Sequence, residues 1–290
     1  MKKKAALLIG NGLNRASGES AWADLLSQLK KKHKLKKTPQ LSNLPLEFQL
    51  IYFQCAKKIK TSQYALKKEI ADLMSPLTDY SLLDLFTSLS IENILTTNYD
   101  YNLESSIDKG FRRKHSNTSE KKHSLHRKIE LGTKTIWHIH GEKSCPNSIC
   151  LGFDQYCAYL SRLHAYLTTP GAPHTPPFIE HQLLTDPDGV PSWATLLFTH
   201  DLYIVGFGLS FLESDLWWLL NYRAYLRLEK PHLNINNKIF YFYCKNDQNL
   251  LSEIIFLLKS MEIDTVSVQM QDSWPDFYRR VRQKIHKMIK

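Results

Sequence analysis

Two short apolar runs, each ending in a Gly-x-Gly turn that leads into a helical pattern, constrain the fold of this chain most. The first run, Ala5–Ile9, ends in Gly10-Asn11-Gly12. The second, residues 202–205, ends in Gly206-Phe207-Gly208. Glycines at such a turn let the backbone approach a pyrophosphate, which then lies at the positive end of the following helix. The two units predict two places at which the chain approaches a nucleotide, with an ordinary tight turn as the alternative for each.

The alternation of β-rich and helical segments extends along the whole chain. Further strands are predicted at 93–96, 135–139, 238–244 and 265–268. This alternation predicts an α/β fold, with a Rossmann-like, mostly parallel sheet and helices on both faces. Roughly eighty residues of helical character separate the first two strands, too many for a plain crossover, so we expect one domain over 1–290 with a helical cap inserted at 35–90.

Positive charge is concentrated in residues 30–37 and 109–130 of a chain with a net charge of +10. Basic stretches attract polyanions, so nucleic acid is a candidate trigger, and a solvated surface is the alternative. Segment 109–130 and the Pro- and Gly-rich segment 168–193 are predicted as loops. No apolar run approaches the ~18 residues of a membrane span, and the one after the N-terminal lysines is too short for a signal peptide. We therefore expect a cytoplasmic protein without a membrane partner.

The five cysteines form no C-x-x-C pair. Their odd number and irregular spacing fit neither a disulfide framework nor a four-thiolate zinc site, so free thiols and no metal are predicted. A dehydrogenase fingerprint is also incomplete, because Arg15 stands where its third glycine would be.

Polar side chains follow the strand at 93–96, in the stretch Thr96-Thr97-Asn98-Tyr99-Asp100. The carboxyl ends of parallel strands face the ligand crevice, so these residues point at whatever binds there. Asn98 and Asp100 lie on the same side if the chain remains extended. An Asx-type turn or helix cap is the alternative.

Two histidines, His138 and His140, lie two residues apart and are predicted on one face of the strand at 135–139. No convincing third ligand is nearby for a metal. Gly141 indicates that the chain turns into the crevice after His140. A neutral imidazole there suits general base catalysis, because its pKa is near the operating pH.

After the second glycine turn, Ser210 and Glu213 form a candidate capping box for the next helix. Asp215 lies in the first turn of that helix as a candidate binding residue, with interaction with the helix dipole as its alternative role. The helix then presents a row of aromatic residues that we expect in the core or at a subunit contact, which predicts a homo-oligomer: Trp217, Trp218 and Tyr222.

These four segments, in this order, resemble the sirtuin-like (silent information regulator) domain, particularly its zinc-free branch in bacterial antiphage defence systems. In that family a Gly-rich turn holds the dinucleotide, a T-x-N-x-D element lines the nicotinamide pocket, a His before Gly is catalytic, and a late glycine turn closes over the adenosine end. The resemblance spans residues 5–220. It assigns NAD contacts to Gly10, Asn11, Gly12, Asn14, Thr97, Asp100, Gly206 and Gly208.

The resemblance implies an NAD glycohydrolase that acts as the effector of an antiphage (abortive infection) system, with NAD as substrate, no metal and a protein partner from that system. Asn98 would orient the ribose or the attacking water, Asp100 would hold the carboxamide, and His140 would act as the base. The missing zinc ribbon disfavours protein deacylation. An NAD- or ADP-ribose-sensing module, a deacylase, an ADP-ribosyltransferase and a nucleic-acid-binding accessory protein remain alternatives.

Segment 109–130 lies between the strands that precede Asn98 and His140, so its conformation can affect both residues. We hypothesise that neutralising its basic residues changes the threshold of activation: Arg112, Arg113, Lys121 and Lys122.

Overall fold

Seven strands form one sheet in the computed structural model, which describes residues 4–18, 22–35, 41, 44–113 and 123–290. The strands are β1 (Ala5–Ile9), β2 (Asn93–Thr96), β3 (Lys128–Leu131), β4 (Lys134–His138), β5 (Asp201–Val205), β6 (Ile239–Cys244) and β7 (Asp264–Val268). Their order is β3-β4-β2-β1-β5-β6-β7, and every neighbouring pair is parallel except β3 and β4. The predicted Rossmann-like α/β sheet is confirmed.

Within the described ranges, twelve α-helices surround this sheet. They are α1 (Gly12–Ala16), α2 (Trp22–Lys32), α3 (Leu44–Ile59), α4 (Gln63–Leu73), α5 (Ser81–Thr87), α6 (Asn102–Ile107), α7 (Phe153–Thr168), α8 (Phe178–Thr185), α9 (Leu196–Thr199), α10 (Ser214–Glu229), α11 (Ser252–Ser260) and α12 (Trp274–Met288). None of the helices in the part of the chain that the structure describes has the length and apolar character needed to cross a bilayer.

Helices cover both faces of the sheet, as expected. Side chains of α7, α8, α9, α10 and α11 pack on one face, and those of α1, α5, α6 and α12 pack on the other. Strand β1 lies between them, and Leu7, Leu8 and Ile9 are at most 2% exposed. Each such side chain contributes about 1.5–3 kcal/mol on burial. This burial on both faces explains why the strand reads as a continuous apolar run.

Helices α2, α3 and α4 share a core of their own, to which Tyr99, Ile149 and Leu151 of the loops beyond the sheet also belong. This cluster begins with α2, whereas α5 packs on the sheet. The single domain over 1–290 and the inserted cap at 35–90 stay predictions. Of the residues expected in that cap, 36–40 and 42–43 lie outside the described residues.

The two predicted loops each contain a regular element that the sequence did not reveal. Strand β3 begins within 109–130, and it pairs with β4 through a hairpin in which Gly132 has a φ of +57°, a conformation that glycine adopts readily. A four-residue edge strand with two charged residues gives little apolar pattern. Helix α8 lies within 168–193, where the flanking Pro and Gly residues dominate the composition. Residues 114–122 of the first segment lie outside the described residues.

Candidate functional site

The two glycine turns lie side by side, because β1 and β5 are adjacent parallel strands. The N–H of Gly10 donates to the carbonyl oxygen of Val205 at 3.0 Å, and the N–H of Gly12 donates to that of Gly206 at 2.8 Å. A Cβ atom at Gly10 or Gly12 would lie 2.5 or 2.7 Å from the Gly206 oxygen. These two glycines therefore let the turns contact each other. Helix α1 starts at Gly12, directly after the first turn.

Gly206 and Gly208 differ in their surroundings. Gly206 has a φ of +63°, and a Cβ atom there would lie 2.6 Å from Cδ1 of Leu13. At Gly208 a Cβ atom would meet no protein atom within 4 Å. Packing within the described residues thus requires glycine at position 206 and leaves space for a side chain at 208.

A cavity of about 690 Å³ lies over both turns. Its volume is within the roughly 300–1,000 Å³ typical of sites for small molecules and cofactors. Arg15 of α1 and Asn98 after β2 line it. Aromatic residues of β6 and α12 also line it: Tyr241, Phe242, Tyr243, Trp274, Phe277 and Tyr278.

A smaller cavity of about 110 Å³ adjoins the first and contains His140 in its lining. We refer to the two as the main cavity and the side cavity. They share five lining residues: Trp22, Leu44, Thr97, Ser210 and Glu213. The space over the glycine turns therefore adjoins the space beside His140.

His140 lies between two carboxylates, that of Glu213 just before α10 and that of Asp215 in the first turn of α10. Its Nε2 lies 2.8 Å from Oδ2 of Asp215, and its Nδ1 lies 3.8 Å from Oε2 of Glu213. Burial lowers the pKa of His140, but the charge and hydrogen bond of Asp215, together with the charge of Glu213, outweigh burial and raise it above its usual value. The bond to Asp215 fixes the imidazole and leaves Nδ1 facing Glu213.

The side chain of Glu213 does not cap α10. The backbone N–H of Glu213 donates to the carbonyl oxygen of Ser210 at 3.0 Å, and no side-chain hydrogen bond caps the N-terminus of α10 within the described residues. The predicted capping box of Ser210 and Glu213 is therefore wrong: the helix begins only at Ser214, and the carboxyl turns toward His140. Burial and the charge of Asp215 raise the pKa of Glu213 to about 7, against the opposing effect of His140.

Asp100 and Asn14 bind each other. Asn14 Nδ2 donates to Oδ2 of Asp100 at 3.0 Å, and the N–H of Asn102 donates to Oδ1 at 2.9 Å. The second contact is the Asx-type turn considered for this stretch. Burial raises the pKa of Asp100. Both oxygens of this carboxylate thus accept hydrogen bonds from within the protein, and the pair ties α1 to the loop after β2.

His138 and His140 contact helices on opposite faces of the sheet, so the expectation of a shared face is wrong. His138 Nε2 lies 2.6 Å from Oε1 of Glu104 in α6, and its Nδ1 lies 3.0 Å from the carbonyl oxygen of Asn98. Strand β4 ends at His138, so the alternation of side chains does not continue to His140. Gly141, with a φ of +102°, completes the turn away from the strand.

A buried ion-pair network lies two residues beyond His140 and was not predicted. Oε1 of Glu142 accepts from Arg127 at 3.1 Å, and Oε2 accepts from Arg113 at 3.0 Å and from the hydroxyl of Tyr101 at 2.6 Å. Arg113 and Arg127 flank the part of segment 109–130 outside the described residues. Both ends of that segment are therefore anchored next to the turn that carries His140.

The only group of metal-ligand type found among the described residues is the trio around His140. Ligand atoms of His140, Glu213 and Asp215 lie within 4.8 Å of one another. One imidazole and two carboxylates are donors that Zn²⁺ or Mn²⁺ accepts. One oxygen of Asp215 already accepts the hydrogen bond of His140. All five cysteines are free.

The structure brings most of the predicted residues together. The main cavity is lined by six of them: Asn11, Gly12, Thr97, Asn98, Gly206 and Gly208. Asp215 accepts the hydrogen bond of His140. Gly10 and Asn14 are instead engaged in contacts within the protein. Sequence reasoning missed Glu213 as a site residue and Glu142 as an anchor, because the pattern of residues does not distinguish a buried carboxylate from a surface one.

Residues 92–210 match the family model described as the SIR2-like domain. The matched segment runs from the start of β2 to the end of the second glycine turn and includes Asn98, Asp100 and His140. Domains of this kind use NAD, so the match indicates an NAD-using enzyme or an NAD-binding module. No curated protein matches the chain significantly.

Proposed function

We propose that this chain, which contains a sirtuin-like domain at residues 92–210, is an NAD glycohydrolase that releases nicotinamide and ADP-ribose. One observation carries the proposal. A cavity large enough for a dinucleotide lies over both glycine turns, borders Asn98, and shares five lining residues with the side cavity at His140. Ligand space and a candidate base therefore meet in one place.

The charges around His140 suit the chemistry. Cleavage of the nicotinamide–ribose bond expels neutral nicotinamide and leaves positive charge on the ribose, which the carboxylates of Asp215 and Glu213 would stabilise. Asn98 would orient the ribose or the attacking water. His140, fixed by Asp215, would supply the base for the proton of that water.

Hydrolysis is favoured over protein deacylation, because deacylating sirtuins carry a zinc ribbon with two thiolate pairs and the five cysteines here cannot form one. A binding module for NAD or ADP-ribose is the second candidate. It is supported by the burial of His140, which is 1% exposed. Such a module would bind NAD without releasing nicotinamide.

We also propose a cytoplasmic role as the effector of an antiphage system. An enzyme that cleaved free NAD continuously would deplete its own cell, so its activity must depend on a trigger, a partner protein or assembly into a homo-oligomer. The anchoring of Arg113 and Arg127 on Glu142 supports this dependence, because the basic segment between them is tied to the turn of His140. A nucleic acid is one candidate trigger for such a segment.

The test is chromatography of NAD incubated with the purified protein, with and without an acyl-lysine peptide and with DNA or RNA as candidate triggers. Isothermal titration measures NAD binding in parallel. Asn98→Ala should lower nicotinamide release about 10²-fold or more, whereas Asn236→Ala, at an exposed position outside both cavities, should not. Strict dependence on the acylated peptide would contradict hydrolysis. Tight binding of NAD without release under every condition would favour the binding module.

A further inference from the structure

Among the described residues, Glu213 is the one ionisable side chain that lines both cavities. It lines both the main and the side cavity, and 19% of its side chain is exposed. His140 is only 1% exposed. Oε2 of Glu213 is buried without a hydrogen-bond partner among the described residues, and it lies 3.8 Å from Nδ1 of His140. Of Glu213 and His140, Glu213 is thus the side chain that is more exposed to the cavity.

We propose that Glu213 is a further catalytic residue, which contacts the attacking water directly and passes its proton to Nδ1 of His140. This inference rests on the proposed NAD hydrolysis. The water oxygen forms a bond to ribose C1′, and the C1′–N bond breaks with its electron pair going to nicotinamide. One water proton goes to the Glu213 carboxylate and then to His140, from which it returns to solvent. NAD⁺ and water thus give ADP-ribose, nicotinamide and one proton.

The groups that face Glu213 come from four places in the fold. His140 follows β4, Asp215 is in α10, Tyr156 is in α7, and Tyr99 and Cys150 lie in the loops after β2 and before α7. Burial raises the pKa values of the two tyrosines and the cysteine well above their usual values, so these groups stay neutral near pH 7. His140 and Asp215 are therefore the neighbours whose charge controls the ionisation of Glu213.

A general base must be ionised to accept a proton, and the pKa of Glu213 is about 7. The rate in wild-type protein should therefore rise as the pH increases through about 7. Glu213→Gln keeps the size of the side chain but cannot accept this proton, so kcat should fall about 10²-fold or more and the rise near pH 7 should disappear. The affinity for NAD should change little.

The matched control is Glu229→Gln, which removes the same charge at the exposed C-terminal end of the same helix. It should retain the wild-type rate and pH profile. Thermal unfolding of Glu213→Gln verifies its fold, and the NMR titration of His140 supplies a readout besides turnover, since its pKa should decrease when the Glu213 charge is removed. If the wild-type protein is active and Glu213→Gln keeps its kcat and pH profile, this inference is overturned and the proposed function is not. A wild-type protein that never cleaves NAD overturns the proposed function, and this inference with it.

Discussion

Two glycine-to-alanine substitutions in the lining of the main cavity distinguish a glycine that packs against the other turn, Gly12, from one with free space around it, Gly208. At Gly12 an added Cβ would lie 2.4 Å from the Tyr278 hydroxyl and 2.7 Å from the Gly206 oxygen. Ordinary contacts begin near 3.4 Å, so the turn must move by several tenths of an ångström against backbone. Overpacking of this kind costs about 1–3 kcal/mol. For a chain of this size each kcal/mol lowers Tm by roughly 2–4 °C, which gives an expected decrease of about 2–12 °C for Gly12→Ala.

Gly208→Ala should have the opposite pattern. Among the described residues its Cβ would meet no protein atom within 4 Å, and Gly208 lines the main cavity. We expect an unchanged or slightly higher Tm, because alanine lowers the entropy of the unfolded chain. If the backbone of this turn approaches the dinucleotide, the added methyl group should raise the KM for NAD about tenfold, a loss of roughly 1.4 kcal/mol.

The assays are thermal unfolding of both variants and nicotinamide release measured over a range of NAD concentrations. Gly132→Ala, in the hairpin between β3 and β4, is unsuitable as a neutral control because Gly132 has a positive φ. Gly171→Ala serves instead, since a Cβ there meets nothing within 4 Å and the site is remote from both cavities. A wild-type Tm for Gly12→Ala would refute the contact between the turns, and a wild-type KM for Gly208→Ala would refute the position of the ligand.

Four further outcomes can be tested. Glu142→Ala should lower the free energy of unfolding by about 3–5 kcal/mol, because it breaks the buried ion pair with Arg127. Glu130→Ala, which removes an exposed ion pair on β3, should change it by about 1 kcal/mol or less in chemical denaturation. Burial raises the pKa of Glu142, but His138, Tyr101 and Arg113 outweigh it, so the pKa is lowered and the stabilisation present at neutral pH should be lost as the pH falls through that lowered value. EDTA should leave nicotinamide release unchanged, and a loss that Mn²⁺ or Zn²⁺ restores would instead assign a cation to His140, Glu213 and Asp215. Light scattering should give a homo-oligomer at micromolar concentration, and a monomer with and without NAD would contradict an assembly through α10.

The sequence predicted six of the seven strands and missed β3, one of the two edge strands. Ala5–Ile9 and Asn93–Thr96 have the predicted bounds, and the other four predicted strands differ by one residue at one or both ends. These strands are apolar because helices cover both faces, so burial itself produces the pattern. Strand β3 is half exposed and charged, and its pairing with β4 depends on a hairpin that composition does not reveal.

The site was predictable where backbone geometry imposes a residue type and unpredictable where only burial decides the role. Glycine turns and polar residues after a strand have local causes that a sequence displays. Glu142 is buried between two arginines, and Glu213 faces a histidine from another part of the chain. Nothing in the neighbouring residues distinguishes either carboxylate from the exposed Glu229 or Glu130.

The order of the strands explains how Glu213 reaches His140. The residues of the site follow four consecutive strands, β4, β2, β1 and β5, so the loop after β4 and the loop after β5 start three strand spacings apart, about 14 Å. Residues 206–213 leave β5 and, at up to roughly 3.3 Å per residue, have ample length to cover that distance. Thr97 after β2 shares both cavities with Ser210 and Glu213, which places this loop beside the end of β2. The loop is therefore long enough for Glu213 to lie across the sheet at His140. This explains why Glu213, which the local pattern placed in a helix cap, instead contributes a carboxylate to the site.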